Sequence, residues 1–270
     1  MKNVRSVPRL APRNAAAHKG DFGTVLVVAG SRAMLGAAVL CARAALRGGA
    51  GLVCVAPDAE LQPLLPLAVP EATTTDRSAR SLRAALAKAD AVVVGPGLTA
   101  DAATKRLVRL LLDAARCPLV LDADALNVLA PLDERLVAAA PLVLTPHPGE
   151  AARLLGTTTQ QVQADRRAAA QQLCERVDGV VVLKGEGTLV ADGARCFTNT
   201  TGNPGMATGG AGDVLAGLTG ALLARCLPPF DAACLAVHTH GKAGDLVRDR
   251  IGENGLVAGD LPDAIGEVLP

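Results

Sequence analysis

The sequence has 270 residues, half of them hydrophobic, and its 27 basic side chains nearly balance its 26 acidic ones. This length fits one large α/β domain, and the near-neutral charge gives no reason to expect a nucleic-acid partner. Aromatic residues make up 1% of the chain, which argues against base stacking and predicts a core of Ala, Val and Leu.

The spacing of the cysteines and the sequence of the amino terminus indicate in which cellular compartment the protein lies. The seven cysteines include no C-x-x-C pair, so we expect free thiols and no structural zinc. Residues 1–10 carry charge but no apolar segment of signal-peptide length. No uncharged apolar run is long enough to cross a bilayer. We therefore expect a reduced, cytoplasmic protein that does not span a membrane.

Apolar runs alternate with helical patterns along the chain. The first run is T-V-L-V-V-A, followed by a helix of small residues and then a second strand. In chain order, strands are predicted over 24–29, 52–56, 91–94, 118–121, 142–144 and 180–183, and helices over 35–47, 101–115, 159–177, 211–226 and 231–248. A hairpin with a D-G turn is predicted over 188–198. Residues 1–17 are interpreted as an N-terminal extension and 62–70 as a surface loop.

This alternation predicts a single α/β domain over 1–270, with a mostly parallel central sheet and helices on both faces. Four clusters of glycine or polar residues each follow a predicted strand: G-P-G-L (95–98), D-A-D-A-L-N (122–127), T-P-H-P-G-E (145–150) and K-G-E-G-T (184–188). Ligands bind at the carboxyl edge of open parallel sheets. The clusters therefore predict one site at that edge.

The stretch N-T-T-G-N-P-G-M-A-T-G-G-A-G-D (199–213) contains five glycines and leads into an apolar helix. A glycine-rich loop at a helix N-terminus presents backbone N–H groups and a positive dipole end to an anion, phosphate above all. Asp213 lies where the loop becomes helix. We interpret it as the base that deprotonates a hydroxyl attacking phosphorus; the alternative is a simple helix cap.

The strand-end clusters supply the other candidates, and two of them have a structural alternative. Lys184, one of 6 lysines against 21 arginines, is expected to hold nucleotide phosphates, or else to end a strand in solvent. His147, stiffened by prolines on both sides, is favoured as a substrate contact. Glu150 could hold Mg²⁺ through water or only favour the helix dipole. Asp122 is a candidate for placing a metal or a ligand hydroxyl.

Three further assignments complete the interpretation of single residues. Gly97 lets a ligand approach the backbone, although a plain turn explains it as well. Asp124 is a weaker metal candidate that could cap the helix starting at 125. His238 and His240 point to different faces of a helix, so we expect structural roles rather than joint metal ligation. No Walker A motif is present.

Taken together, five motifs resemble the ADP/ATP-dependent NAD(P)H-hydrate dehydratases of the ribokinase-like superfamily. They are H-K-G-D-F-G-T-V-L-V-V-A-G-S (18–31), V-V-V-G-P-G-L (92–98), T-P-H-P-G-E (145–150), V-V-L-K-G-E-G-T (181–188) and G-N-P-G-M-A-T-G-G-A-G-D-V-L-A-G (202–217). The resemblance implies an enzyme that repairs the hydrated form of NADH or NADPH. An adenine nucleotide phosphorylates the ring hydroxyl, and phosphate is then eliminated.

The resemblance also implies roles for residues. Asp213 would be the catalytic base, with the N–H groups of Gly210, Ala211 and Gly212 around the moving phosphoryl group. The sets that it implies are Ala37, Gly97, His147 and Asp213 for the hydrate; Lys184, Gly185, Glu186, Gly187, Thr188, Asn203, Gly209 and Gly212 for the nucleotide; and Glu150 and Asp122 for Mg²⁺. It implies a homotetramer as well, and a separate epimerase that interconverts the hydrate epimers.

One departure from the family pattern is Ala211, where relatives often carry threonine; we expect activity to survive because backbone groups are the expected donors. Two rival functions stay open at this point. One is a small-molecule kinase of the hydroxymethylpyrimidine or thiazole type, and the other is a nucleotide-binding regulator without turnover. The motifs are compatible with ADP and ATP, and with the hydrates of NADH and NADPH.

Overall fold

The computed structural model describes residues 1–269, and within them ten strands form one sheet. The strands are β1 (Lys2–Val4), β2 (Thr24–Val28), β3 (Leu52–Ala56), β4 (Thr73–Thr74), β5 (Ala91–Val94), β6 (Leu119–Leu121), β7 (Leu142–Leu144), β8 (Val180–Leu183), β9 (Leu189–Ala191) and β10 (Arg195–Thr198). Their order is β1-β10-β9-β8-β7-β6-β5-β2-β3-β4. The strand β9 is antiparallel to both neighbours, and the other pairs are parallel. The mostly parallel sheet and the D-G hairpin are confirmed.

Helices cover both faces of this sheet, as predicted. They are α1 (Leu35–Arg47), α2 (Leu65–Ala68), α3 (Ala79–Leu86), α4 (Ala102–Ala114), α5 (Asp124–Asn127), α6 (Pro148–Leu155), α7 (Thr159–Ala164), α8 (Arg166–Val177), α9 (Ala211–Ala224), α10 (Pro229–Ile251) and α11 (Leu261–Val268). Alternate residues of each strand enter two separate cores. One core packs against α1, α9, α10 and α11, and the other against α3, α4, α6 and α8.

The helix α9, predicted to be apolar from the sequence, is buried on nearly all of its faces. Twelve of its 14 residues are buried, because it lies between the sheet, α1 and α10. Gly217 makes the approach to α1 possible, since an added Cβ would lie 2.1 Å from the carbonyl oxygen of Cys41. This packing fixes the N-terminus of α9 at the carboxyl edge of the sheet.

Three segments differ from the sequence-based expectation. The helix predicted over 159–177 is broken at Asp165, whose backbone leaves the helical region and whose side chain accepts a hydrogen bond from Ala168 N to start α8. The predicted loop over 62–70 contains α2, because Leu65 is drawn fully into the core. Residues 2–4, inside the proposed extension, form β1 at the sheet edge, where Arg167 binds the carbonyl of Met1 at 2.9 Å.

No helix in the described part of the chain is both long enough and apolar enough to span a bilayer.

Candidate active site

The adjacent strands β6, β7 and β8 bring three polar side chains together at the carboxyl edge. The Lys184 ammonium lies 2.7 Å from Asp122 Oδ1, and the Thr145 hydroxyl donates to the same oxygen, also at 2.7 Å. Burial lowers the pKa of Lys184, but the carboxylates of Asp122 and Glu150 outweigh it, so the net pKa is raised. Lys184 is therefore a fixed positive charge. Thr145 was not singled out from sequence, although a polar residue directly after the apolar L-V-L strand was a usable signal.

The N-terminus of α9 lies against this cluster. Gly210 precedes the helix with a φ of 97°, and no side chain from the described part of the chain caps the first turn. A Cβ added to Gly212 would lie 3.2 Å from Lys184 Nζ, so the ammonium sits directly beside the first-turn backbone. Ala211 N donates a long hydrogen bond to the Thr208 carbonyl at 3.4 Å. The amides of Gly210 and Gly212, the helix dipole and a lysine thus meet at one point, which is the arrangement that binds phosphate.

Asp213, in the first turn of α9, is half-buried, and its carboxylate accepts no hydrogen bond from the residues described. The helix-cap alternative is therefore wrong. The pKa of Asp213 is raised to about 7, mainly by burial and secondly by the negative charge of Asp122, while the positive charge of Lys184 opposes the shift. A carboxylate whose pKa lies near neutrality is suited to accept a proton in the physiological range.

His147 and Glu150 cap the N-terminus of α6 reciprocally. His147 Nδ1 accepts from Gly149 N at 3.0 Å, and Glu150 Oε2 accepts from His147 N at 2.7 Å. Burial, with the charges of Lys184 and Arg153, lowers the pKa of His147. The bond to Gly149 N leaves Nε2 as the protonated nitrogen of the neutral ring. The helix-terminus role considered for Glu150 is thus realised as a cap, which also fixes the exposed imidazole at the site.

Arg166 stabilises the K-G-E-G-T turn by hydrogen bonds to its backbone. Its guanidinium donates to the carbonyl oxygens of Leu183 and Lys184 at 3.0 and 3.2 Å. Gly185 and Gly187 both adopt positive φ, and Thr188 Oγ1 donates to the carbonyl of Gly185 at 2.8 Å. The turn therefore has a defined shape at the carboxyl end of β8, next to Lys184.

The remaining predicted residues occupy two further places. Gly97 adopts a φ of 59°, and a Cβ there would lie 2.7 Å from Ala37 Cβ, so these two residues of the predicted substrate set are in contact. Asn203 accepts from Gly205 N at 3.1 Å and donates to Asp245 at 3.2 Å, which makes its amide part of the loop's own structure. Gly209 is exposed.

His240 in α10 and Asp124 in α5 have surroundings that fit structural roles. Burial lowers the pKa of His240 to about 4, so its ring is neutral beside the backbone of Ala211. Asp124 does not cap a helix beginning at 125. It is the first residue of α5, and it accepts a hydrogen bond from the Asn127 amide at 3.1 Å.

The site around Asp122 and Lys184 offers few side chains that could bind a metal ion. No group of three or more His, Cys, Asp or Glu side chains within residues 1–269 is arranged to hold one. Asp122 Oδ2 accepts no hydrogen bond from the described residues, and Glu150 Oε2 lies 3.9 Å from Lys184 Nζ. This donor set fits Mg²⁺, which is commonly held by one or two carboxylates together with water and substrate phosphates.

A large groove lies elsewhere on the molecule. It has a volume of about 1560 Å³ and is lined by Asp90, Pro118 and Leu223, among others. Because Asp90 and Pro118 precede β5 and β6, the groove is at the opposite edge of the sheet from Asp213. It is therefore separate from the cluster described above.

Comparison with known proteins agrees with this geometry. A family model described as NAD(P)H-hydrate dehydratase matches residues 25–267. The ADP-dependent (S)-NAD(P)H-hydrate dehydratase of Neisseria meningitidis is 44% identical over 254 residues, covering 92% of this chain and 85% of that protein. A bifunctional NAD(P)H-hydrate repair enzyme of Moorella thermoacetica is also 44% identical, over 97% of this chain and 52% of that protein. The chain thus spans about half the length of several curated relatives that it matches.

Among solved structures, the ADP/ATP-dependent NAD(P)H-hydrate dehydratase of Bacillus subtilis, co-crystallised with ATP and Mg²⁺, superposes with a TM-score of 0.87 at 34% identity. The match covers 96% of this chain and 93% of that one. The fold is ribokinase-like, as the motifs implied. By its sequence, its fold and the residues assembled at the sheet edge, the chain belongs to the NAD(P)H-hydrate dehydratase family.

Proposed function

We propose that this protein removes water from the hydrate of NADH or NADPH, with ADP or ATP as the phosphoryl donor, and so restores the reduced nucleotide. The observation that carries the proposal is the juxtaposition of Asp213, with its pKa near 7, and the uncapped N-terminus of α9 beside Lys184. An anion site next to a tuned base is what phosphoryl transfer to a hydroxyl requires.

The first step uses Asp213 as the base. Its carboxylate takes the proton of the ring hydroxyl, and the oxygen attacks the terminal phosphorus of the nucleotide, releasing AMP from ADP or ADP from ATP. The backbone N–H groups of Gly210, Ala211 and Gly212 and the Lys184 ammonium stabilise the negative charge on the moving phosphoryl group. Because these donors belong to the backbone, alanine at 211 leaves them in place.

The second step is elimination. Phosphate is a far better leaving group than hydroxide, so the lone pair of the ring nitrogen expels it, and the adjacent ring carbon loses a proton to restore the dihydronicotinamide. Fixed by the capping box, His147 contacts the hydrate together with Ala37 and Gly97. Both of these lie where β5 ends and α1 begins, and their mutual contact supports a shared binding surface.

The nucleotide occupies the neighbouring surface. We assign its contacts to the turn from Lys184 to Thr188, including Gly185, Glu186 and Gly187, and to Asn203, Gly209 and Gly212 of the glycine-rich loop. Mg²⁺ supplies charge neutralisation for the phosphates when bound, and Asp122 and Glu150 are the residues that would hold it, in part through water.

We further propose a cytoplasmic homotetramer that works with a separate hydrate epimerase. Seven free thiols support a reducing compartment. Size-exclusion chromatography with light scattering tests the assembly, since a monomer peak would contradict it.

The direct test follows recovery of the near-ultraviolet absorbance of NADH or NADPH from its purified hydrate, with ADP, ATP or neither. We expect recovery only with nucleotide, matched by equimolar inorganic phosphate. A small-molecule kinase would instead accumulate a phosphorylated product without absorbance recovery. A non-catalytic regulator would bind nucleotide and produce neither.

A further inference from the structure

Thr145 belongs to the cluster at the sheet edge, but the proposed function gives it no role. It is fully buried at the end of β7, and its hydroxyl lies 2.7 Å from Asp122 Oδ1 and 3.3 Å from the carbonyl oxygen of Leu121. A hydroxyl has one proton to donate. The Leu121 carbonyl already accepts from Thr145 N at 3.0 Å, and a carboxylate is the stronger acceptor, so the proton goes to Asp122.

The other donor to Asp122 uses the same oxygen. Lys184 Nζ lies 2.7 Å from Oδ1, and no described residue donates to Oδ2. A Cβ on Gly212 would lie 3.9 Å from Oδ2, so the free oxygen faces the first turn of α9, where the phosphoryl group binds in the proposed reaction. The carboxylate is therefore oriented asymmetrically, with one oxygen saturated and the other directed at the site.

We propose that Thr145 is a positioning residue for phosphoryl transfer: its hydroxyl and Lys184 together saturate Asp122 Oδ1, which keeps Oδ2 directed at the phosphate and its cation. The inference rests on the proposed function and adds to it a residue that does not itself touch substrate. Without the hydroxyl, the lysine is the only side-chain donor to the carboxylate within residues 1–269. Rotation of the carboxylate then lets the ammonium bridge both oxygens, and Oδ2 is withdrawn from the site.

The buried setting makes Thr145 suited to this role. Water cannot replace the hydroxyl, because neither Thr145 nor Asp122 is more than 1% exposed. The β-branched side chain restricts rotation about its first torsion angle, which holds the hydroxyl in one direction. The strands β6 and β7 are paired in register immediately before both residues, so the backbone fixes their separation.

The test compares Thr145→Val, which keeps shape and removes the hydroxyl, with Thr145→Ser, which keeps the hydroxyl. Hydrogen bonds to charged groups set the scale, so we expect Thr145→Val to lower kcat by about tenfold to a hundredfold. The KM for the hydrate should stay within about twofold, because the interaction matters in the transition state. Thr145→Ser should restore kcat to within about threefold of the wild type.

Binding without turnover supplies a second readout. Calorimetric titration with ADP, in the absence of hydrate, should give equal affinity for wild type and Thr145→Val without Mg²⁺, and a smaller gain in affinity on adding Mg²⁺ for the variant. The matched control is Thr219→Val, which removes a buried hydroxyl bonded to the Leu215 carbonyl within α9. It should leave kcat and the Mg²⁺ effect unchanged.

Three results would overturn the inference: Thr145→Val with wild-type kcat and Mg²⁺ effect, Thr145→Ser as impaired as Thr145→Val, or Thr219→Val equally impaired. Each is distinguishable from failure of the proposed function, which would show as a wild-type protein that recovers no reduced nucleotide from the hydrate.

Discussion

Replacing Asp213 with asparagine should make the protein more stable while it removes the catalytic base. The carboxylate is half-buried beside the negative charges of Asp122, Asp124 and Glu150, and its pKa rises from 3.8 to about 7. The folded state therefore holds this proton more tightly than the unfolded chain does. The resulting stabilisation is complete below pH 3.8 and is lost as the pH rises to about 7, above which the folded protein carries the full penalty of the charge.

The magnitude follows from linkage. One pKa unit corresponds to about 1.4 kcal/mol, so the wild type should lose at most about 3 kcal/mol of stability through this group between pH 5 and pH 7. Partial solvent access reduces the effect, and we expect about 1 to 2 kcal/mol. The asparagine amide of the variant does not titrate in this range. The gain in unfolding free energy from Asp213→Asn should therefore grow by that amount between pH 5 and pH 7.

Urea denaturation of both proteins at pH 5, 6, 7 and 8 measures this difference. Asp231→Asn, in the first turn of α10, is the matched control for losing any first-turn carboxylate. The recovery assay on the same samples should show kcat lowered by about a hundredfold or more. Stability curves for wild type and Asp213→Asn that stay parallel across this range would refute the buried, high-pKa carboxylate.

Four further predictions concern α9 and its surroundings. The kcat of the wild type should rise with pH through about 7 as Asp213 deprotonates, which a pH–rate profile measures. Lys184→Met should shift this rise to higher pH, because the lysine charge lowers the pKa of Asp213. The same variant should lower the unfolding free energy by about 3 kcal/mol in denaturation experiments, because it leaves buried carboxylates unpaired. Gly212→Ala should raise the KM for nucleotide, because the added methyl group would lie 3.2 Å from Lys184 Nζ and displace the ammonium. Gly255→Ala, where nothing lies within 4 Å of the added Cβ, should leave that KM unchanged. Gly217→Ala should lower the melting temperature sharply, because its methyl group would lie 2.1 Å from a backbone carbonyl of α1; calorimetry checks this, and an unchanged melting temperature would contradict the close helix packing.

Local sequence patterns predicted much of the fold. Alternation of β-branched runs with helical periodicity predicted the parallel sheet, because strand and helix place apolar residues at different spacings along the chain. Failures came where tertiary contacts override local pattern. Asp165 breaks a helix that periodicity alone would continue. The segment 2–4 becomes a strand only because β10 offers it an unpaired edge.

For the site, the sequence by itself determined the glycine-rich loop, the place of Asp213 in the first helical turn and the strand ends that carry Asp122 and Lys184. It determined these because turn chemistry and the carboxyl-edge rule depend on local order. Only the tertiary structure decided that Thr145 and Lys184 share one oxygen of Asp122, since Lys184 is 62 residues away from Asp122 in the chain. It also decided the pKa of Asp213, because burial and neighbouring charge arise only when the sheet and α9 pack together.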